Sequence, residues 1–263
     1  MDEAVKSYEK AIAFKPDYAE AHNNLGVTLQ NLGLMDEAVK SYEKAIAFKP
    51  DYAEAHNKLG NIFKELEQLD AAVKSYKKVI AINPEYPEAH YNLGNTLREL
   101  GQLETAIKSY EKVIAIKPDY AEAHFNLGNT LRELGQLETA IKSYEKALAI
   151  KPDYAEVLNN LGNTLNDFGQ LDAAVKSFKK ALAIKPDYVE AHNNLGSTLN
   201  DFGQLDAAVK SFEKAIEINP DYVEAHNNLG SILNALGHLD VAIECYEKAI
   251  AINPDFSDAY YNL

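Results

Sequence analysis

The chain has 263 residues, 46% of them apolar, and 40 acidic residues against 26 basic ones give it a formal charge of −14. That sign opposes a phosphate backbone or an anionic bilayer, so neither nucleic acid nor membrane is an expected partner. No run approaches the roughly 18–20 apolar residues of a membrane span, and the single cysteine, Cys245, excludes an internal disulfide.

The first element is a half unit, residues 1–18. It opens on Met1-Asp2-Glu3 with no basic segment followed by an apolar one, so no signal peptide is read and the expected location is the cytoplasm. Its Met1–Tyr8 segment returns letter for letter as Met35–Tyr42, which places it as the second half of a repeat of 34 residues. Full units follow at 19–52, 53–86, 87–120, 121–154, 155–188, 189–222 and 223–256, with no insertion or deletion, and a partial unit closes the chain at 257–263. Both ends fall inside a unit, as expected of a piece cut from a longer array. Units of this kind bury their apolar faces only against their neighbours, so the expected organisation is one array over 1–263 with no linker.

Each unit reads as two helices. In 121–154, Asp119 followed three residues later by Glu122 has the spacing of a capping box, and Ala123, Leu127, Leu131 and Leu134 then recur at helical spacing up to Gly135. A second helix starts near Glu138, with an apolar stripe of Ala140, Ile141, Tyr144, Ala147, Leu148 and Ile150. It must stop before Pro152, because proline inside a helix costs about 3 kcal/mol. The fold class is therefore all-α, an α-solenoid of antiparallel helix pairs.

All 13 glycines fall on two repeat positions and eight of the nine prolines on a third, with Pro87 alone at a helix start, where proline is tolerated. The set containing Gly26, Gly60, Gly94 and Gly128 lies inside the first helix, where each glycine costs about 1 kcal/mol against alanine. The compensation expected is close approach of the paired helix. The other set, from Gly33 to Gly237, ends that helix. Glu67 replaces it once, so that turn is expected to be strained or loose.

Leu127, Gly128, Leu131, Ala140, Tyr144, Ala147 and Pro152, with His124 in an aromatic-type slot, resemble the tetratricopeptide repeat, and the likeness runs through essentially the whole chain. The resemblance implies a right-handed superhelix whose first helices line a concave groove. Among such arrays, the Asn-Leu-Gly-Asn spelling is most similar to the repeat region of O-linked N-acetylglucosamine transferases. No glycosyltransferase domain is present here, so that activity is not implied.

On the first helix, the face opposite the core carries rows of amides. The main row is Asn24, Lys58, Asn92, Asn126, Asn160, Asn194, Asn228 and Asn262; beside it run Asn61, Asn95, Asn129 and Asn163, a row that becomes Ser197 and Ser231. An asparagine amide both donates and accepts, so a ladder of them can pair with the backbone of an extended peptide whatever its side chains. In the family resembled, an asparagine row does this work. The alternative is that these amides solvate the helix face or bond to the backbone of the adjacent helix.

Tyr91 and Phe125 stand where Asn23, Asn57, Asn159, Asn193 and Asn227 stand in other units, and are candidates for a side-chain pocket or for inter-helix contact. Lys58, Lys64, Arg98 and Arg132 concentrate positive charge early, so the acidic end of a bound peptide is expected toward units two to four. Some tetratricopeptide domains clamp a terminal carboxylate with lysines where Glu54, Glu88 and Glu122 stand, which argues against that mode here.

His22, His56, His90, His124, His192 and His226 recur one unit apart. First helices about 8–10 Å apart are too distant for two imidazoles to share a metal at about 2 Å each, so they are read as packing residues. No catalytic constellation and no cofactor motif is found. The expected function is a non-enzymatic scaffold for a protein or extended peptide, with self-association through uncovered terminal helices, or a detached glycosyltransferase targeting module, as alternatives.

Overall fold

The computed structural model describes residues 2–263, the side chain of Asp2 excepted; Met1, the first letter of the repeated octapeptide, lies outside the described residues. Among the described residues there are sixteen helices and no strand. The opening half unit is α1 (Asp2–Phe14). The pairs then run α2 (Ala19–Asn31) and α3 (Met35–Phe48), α4 (Ala53–Glu65) and α5 (Leu69–Ile82), α6 (Pro87–Glu99) and α7 (Leu103–Ile116), and α8 (Ala121–Glu133) and α9 (Leu137–Ile150). They continue as α10 (Ala155–Asp167) and α11 (Leu171–Ile184), α12 (Val189–Asp201) and α13 (Leu205–Ile218), α14 (Val223–Ala235) and α15 (Leu239–Ile252), ending in α16 (Ser257–Asn262). Contacts divide the chain into two compact units, Met1–Thr130 and Leu131–Leu263.

In the first unit each hairpin packs on the next, and the first helices α2, α4 and α6 also touch in succession. Fully buried Ala38, Tyr42 and Ala45 of α3 form one core with Ala55 and Ile62 of α4. Tyr76 and Tyr110 join Leu93 and Leu97 in the following layer. The second unit repeats the plan, α10, α12 and α14 touching in succession, but Phe178 and Phe212 stand where the first unit buries tyrosine. In both units this is a tandem α-solenoid arrangement, in which alanines admit the second helix and a large aromatic fills each hairpin.

The helix starts correct one sequence expectation. In α2, α4, α6, α10, α12 and α14 the residue at the N-cap is a tyrosine whose side chain makes no capping bond, so the Asp-x-x-Glu spacing at α2, α4, α10, α12 and α14 is not used as a capping box. The preceding turn is held in other ways. Lysines lie over the turn tyrosines, as with Lys49 at 4.5 Å from Tyr52 and Lys185 at 4.7 Å from Tyr188. Where asparagine replaces that lysine, its side chain accepts from the amide two residues on, as Asn219 does from Asp221 at 3.1 Å.

The first helices end in left-handed turns, φ at the glycines lying between +70° and +82°. Glu67 adopts φ +57° in the same turn. Its amide reaches the Lys64 carbonyl at 3.0 Å and that of Gln68 the Phe63 carbonyl at 2.8 Å, matching Gly33 to Gln30 and Leu34 to Leu29. This Schellman closure keeps its geometry with a side chain in place, so the turn is strained rather than loose.

Candidate functional site

The first-helix glycines explain how the amide face is built. A Cβ placed on Gly94 would lie 2.7 Å from Tyr110 Cε1, and one on Gly60 would lie 2.7 Å from Tyr76 Cε1. Glycine lets each ring cross beneath the first helix. The hydroxyl then emerges on the far side, where Tyr76 donates to Asn61 Oδ1 and Tyr110 to Asn95 Oδ1, each at 2.8 Å. Burial raises the Tyr76 hydroxyl well above the usual tyrosine range, and the carboxylates of Glu99 and Glu65 add to the effect.

The same acceptors receive the main row of the next hairpin. Asn92 Nδ2 donates to Asn61 Oδ1 at 3.2 Å, and Asn126 Nδ2 to Asn95 Oδ1 at 2.9 Å. Asn126 also reaches the Tyr91 hydroxyl at 3.0 Å. One amide oxygen thus collects a core tyrosine from its own hairpin and an asparagine from the next, tying two hairpins through a single atom.

In the second unit the partner shifts. Phe178 and Phe212 bring no hydroxyl, and Ser197 and Ser231 replace asparagine after Asn163. The row then turns to the residue one turn earlier: Asn194 donates to Asn159 Oδ1 and Asn228 to Asn193 Oδ1, both at 3.1 Å, and Asn262 to Asn227 Oδ1 at 2.9 Å. The Asn163 side chain makes no hydrogen bond to another of the described residues. Sequence reasoning treated Asn159, Asn193 and Asn227 only as the background that Tyr91 and Phe125 interrupt; their burial gives them this acceptor role.

The remaining candidates are placed as follows. Asn92, Asn126, Asn160, Asn194 and Asn228 are half-buried, as are Asn61, Asn95, Asn129, Asn163 and Lys58, whereas Asn24, which has only the half unit before it, is exposed. Lys58 makes no ion pair among the described residues, and Asn23 Oδ1, one period earlier on the neighbouring position, is buried without a protein partner. Tyr91 stacks on Tyr120 at 5.1 Å and meets Tyr110 edge-on at 6.2 Å, and Phe125 is half-buried.

Cations on this face are not all free to meet a ligand. Lys64 pairs with Glu99 at 2.8 Å and Arg132 with Asp167 at 3.2 Å, each one unit onward, and Arg98 is half-buried and also engaged. The charges of Lys64 and Arg132 are thus met within the chain, which removes those two as a basis for a preference for the acidic end of a peptide.

The histidines are turn staples. Nε2 of His22, His56, His90, His124, His192 and His226 each lies 2.9–3.0 Å from the carbonyl of the proline six residues earlier, which can only accept, so Nε2 carries the hydrogen. Among the described residues no three His, Cys, Asp or Glu side chains are placed to hold a metal ion, and no helix is long and apolar enough to cross a membrane. Cys245 is buried; desolvation pushes its thiol up, and Glu244 adds to the shift.

Profiles of the TPR repeat match the chain at residues 1–33, 35–67, 60–97, 94–131, 128–167, 162–201, 198–237 and 230–263, and a second tetratricopeptide-repeat profile matches 19–49. Among solved structures, MamA is 30% identical with a TM-score of 0.60, the match covering 62% of this chain and 95% of that one. YrrB, described as a TPR protein with an unusual peptide-binding site, is 26% identical at a TM-score of 0.60, covering 72% and 97%. The C-terminal part of a TPR repeat-containing protein from Cytophaga hutchinsonii shares the fold at 20% identity and a TM-score of 0.73, covering 90% and 98%. No curated protein matches the chain.

Proposed function

The chain belongs to the tetratricopeptide-repeat family, and from that premise we propose that it is a non-enzymatic scaffold that holds an extended segment of a partner protein along the amide face of its first helices. We read residues 1–263 as one array with the unit boundaries given above. Proteins of this family generally act as interaction scaffolds, and the similarity to a TPR protein with a peptide-binding site favours a peptide as the bound element.

One observation carries the reading. Asn92, Asn194 and Asn228 each spend one N–H on the preceding hairpin, which leaves the carbonyl oxygen and the other N–H for a ligand. The bond that ties hairpins together also fixes the amide's orientation, so little side-chain entropy remains to be lost on binding. Repetition of the amide at each period supplies main-chain pairing with little demand on the partner's sequence. Asn24, Asn126, Asn160, Asn61, Asn95, Asn129, Asn163 and Lys58 extend the rows, with Tyr91, Phe125, Arg98 and Arg132 at their margins.

The test is binding of a degenerate library of extended nonapeptides to the chain and to a variant with Asn92, Asn126 and Asn160 changed to alanine. Because these residues also tie hairpins, affinity is compared at a temperature where the two proteins have equal helix content. A loss of tenfold or more is expected, from three lost backbone pairings at about 0.5–1.5 kcal/mol each; unchanged affinity refutes the ladder.

A further inference from the structure

Between α12 and α14 the amide face opens into a cavity of about 270 Å³, lined by Ser197, Asn200, Asp201 and Phe212 on one side and Asn228, Ser231, Ile232 and Ala235 on the other. Its origin is a set of substitutions that coincide at this one junction. Serine stands where Asn95 fills the corresponding place, and Phe212 lacks the hydroxyl with which Tyr110 engages Asn95. Asn228 turns aside to Asn193, and alanine occupies position 235, where preceding units carry Glu99, Glu133, Asp167 and Asp201. The volume lies just under the ~300–1,000 Å³ range of small-molecule pockets, which suits one side chain rather than a cofactor.

The chemistry of the lining is asymmetric. The floor is apolar: Phe212 and Ile232 are buried. The two serine hydroxyls are committed to their own helix, Ser197 to the Asn193 carbonyl at 3.2 Å and Ser231 to that of Asn227 at 3.0 Å. Charge enters only at the mouth, through the exposed Asp201. At two other junctions this carboxylate position is neutralised from one unit earlier, Asp167 by Arg132 and Glu99 by Lys64, while Glu65 meets only the neutral amide of Gln30, at 3.5 Å. The residue that would neutralise Asp201 is Asn166, and Asp201 makes no ion pair among the described residues. An apolar channel ending at an unpaired carboxylate matches a long aliphatic stem carrying a cation, and the overall charge of −14 favours the same sign of ligand.

We propose that this cavity is a specificity pocket for a lysine or arginine side chain of the bound partner segment, its stem on Phe212 and Ile232 and its cation on Asp201. The assignment rests on the scaffold reading above. It gives an otherwise sequence-tolerant amide face one point at which the partner's sequence is read.

The test uses the full chain and nonapeptides in which one position at a time is fixed as arginine, lysine, norleucine or glutamate and the rest are degenerate. At one position arginine and lysine are expected to bind about tenfold tighter than norleucine, the scale of one charge-assisted hydrogen bond, with glutamate weaker than both. Asp201→Asn should reduce arginine to the norleucine level while leaving norleucine unchanged. Asn166→Arg, which supplies Asp201 with the partner that Asp167 has, should do the same without touching the cavity. A cation preference that is absent, or that persists in both variants while peptides still bind, overturns the pocket and leaves the scaffold reading standing. Failure of every peptide to bind the unaltered chain overturns both.

Discussion

Replacing Gly94 by alanine separates helix propensity from packing. On propensity alone the change stabilises α6 by about 1 kcal/mol. Packing opposes it: the new Cβ would sit 2.7 Å from Tyr110 Cε1 and 3.0 Å from both Cδ1 and Cζ, far inside ordinary contact. The ring is fully buried and its hydroxyl is fixed on Asn95 at 2.8 Å, so it cannot pivot without breaking that bond. Overpacking at about 1–3 kcal/mol, plus about 1 kcal/mol for the lost hydrogen bond, gives a net destabilisation of about 2 kcal/mol. Gly196 is the control. Its added Cβ meets Phe212 just as closely, at 2.7–2.9 Å, but that ring has no hydroxyl anchor and borders the cavity between α12 and α14. Gly196→Ala should cost less than about 1 kcal/mol. Tandem repeats need not unfold in one step, so urea titration followed by circular dichroism is paired with hydrogen exchange at the amides of α6 and α12. The reasoning fails if Gly94→Ala matches or exceeds the unaltered protein in stability, or if the two substitutions cost the same.

Glu67→Gly removes the one side chain held at positive φ among the described residues and should raise stability by about 1 kcal/mol, read as a higher urea midpoint. Alkaline pH probes the buried phenols. Tyr42 and Tyr76 have hydroxyls raised far above their ordinary range, chiefly by burial, so the folded state keeps protons that the unfolded chain releases near pH 10. Their stabilisation is intact below that pH and is lost as pH rises toward the folded values, at up to about 1.4 kcal/mol per pH unit for each. Urea midpoints should fall steeply between pH 10 and 11, and Tyr76→Phe, a change the chain itself makes at Phe178 and Phe212, should flatten part of that slope; a flat profile for the unaltered protein refutes the assignment.

The helices were legible because their boundaries depend on local chemistry. Proline stops the second helix and glycine at positive φ closes the first, so residues 121–133 and 137–150 follow from punctuation and periodicity alone. Capping was misread, because Asp-x-x-Glu satisfies a spacing rule while the cap position itself is tyrosine. The amide rows follow from helical spacing, but their bonding partners do not. Asn126 donates to Asn95 where a tyrosine hydroxyl from another helix meets an asparagine oxygen, and Asn194 and Asn262 turn to Asn159 and Asn227 where one of the two is missing, a coincidence no pattern within one helix encodes. The pocket needed substitutions at Ser197, Phe212 and Ala235 to meet in space, with Asn166 separately leaving Asp201 unpaired, each unremarkable in its own row. The repeated histidine carried a signal that spacing could have supplied, since a proline stands six residues before each one.

The amide bonds between hairpins join residues 31 or 35 positions apart, one period less three or plus one. Deleting or inserting a complete period within one compact unit therefore presents each donor with an acceptor of the same kind, whereas a shift of a single residue leaves the rows facing the wrong side of every later helix. Gene copying that slips by whole periods is silent to this architecture, and slippage by any other length destroys it. Length is thus a freely adjustable trait of the fold, while phase is not.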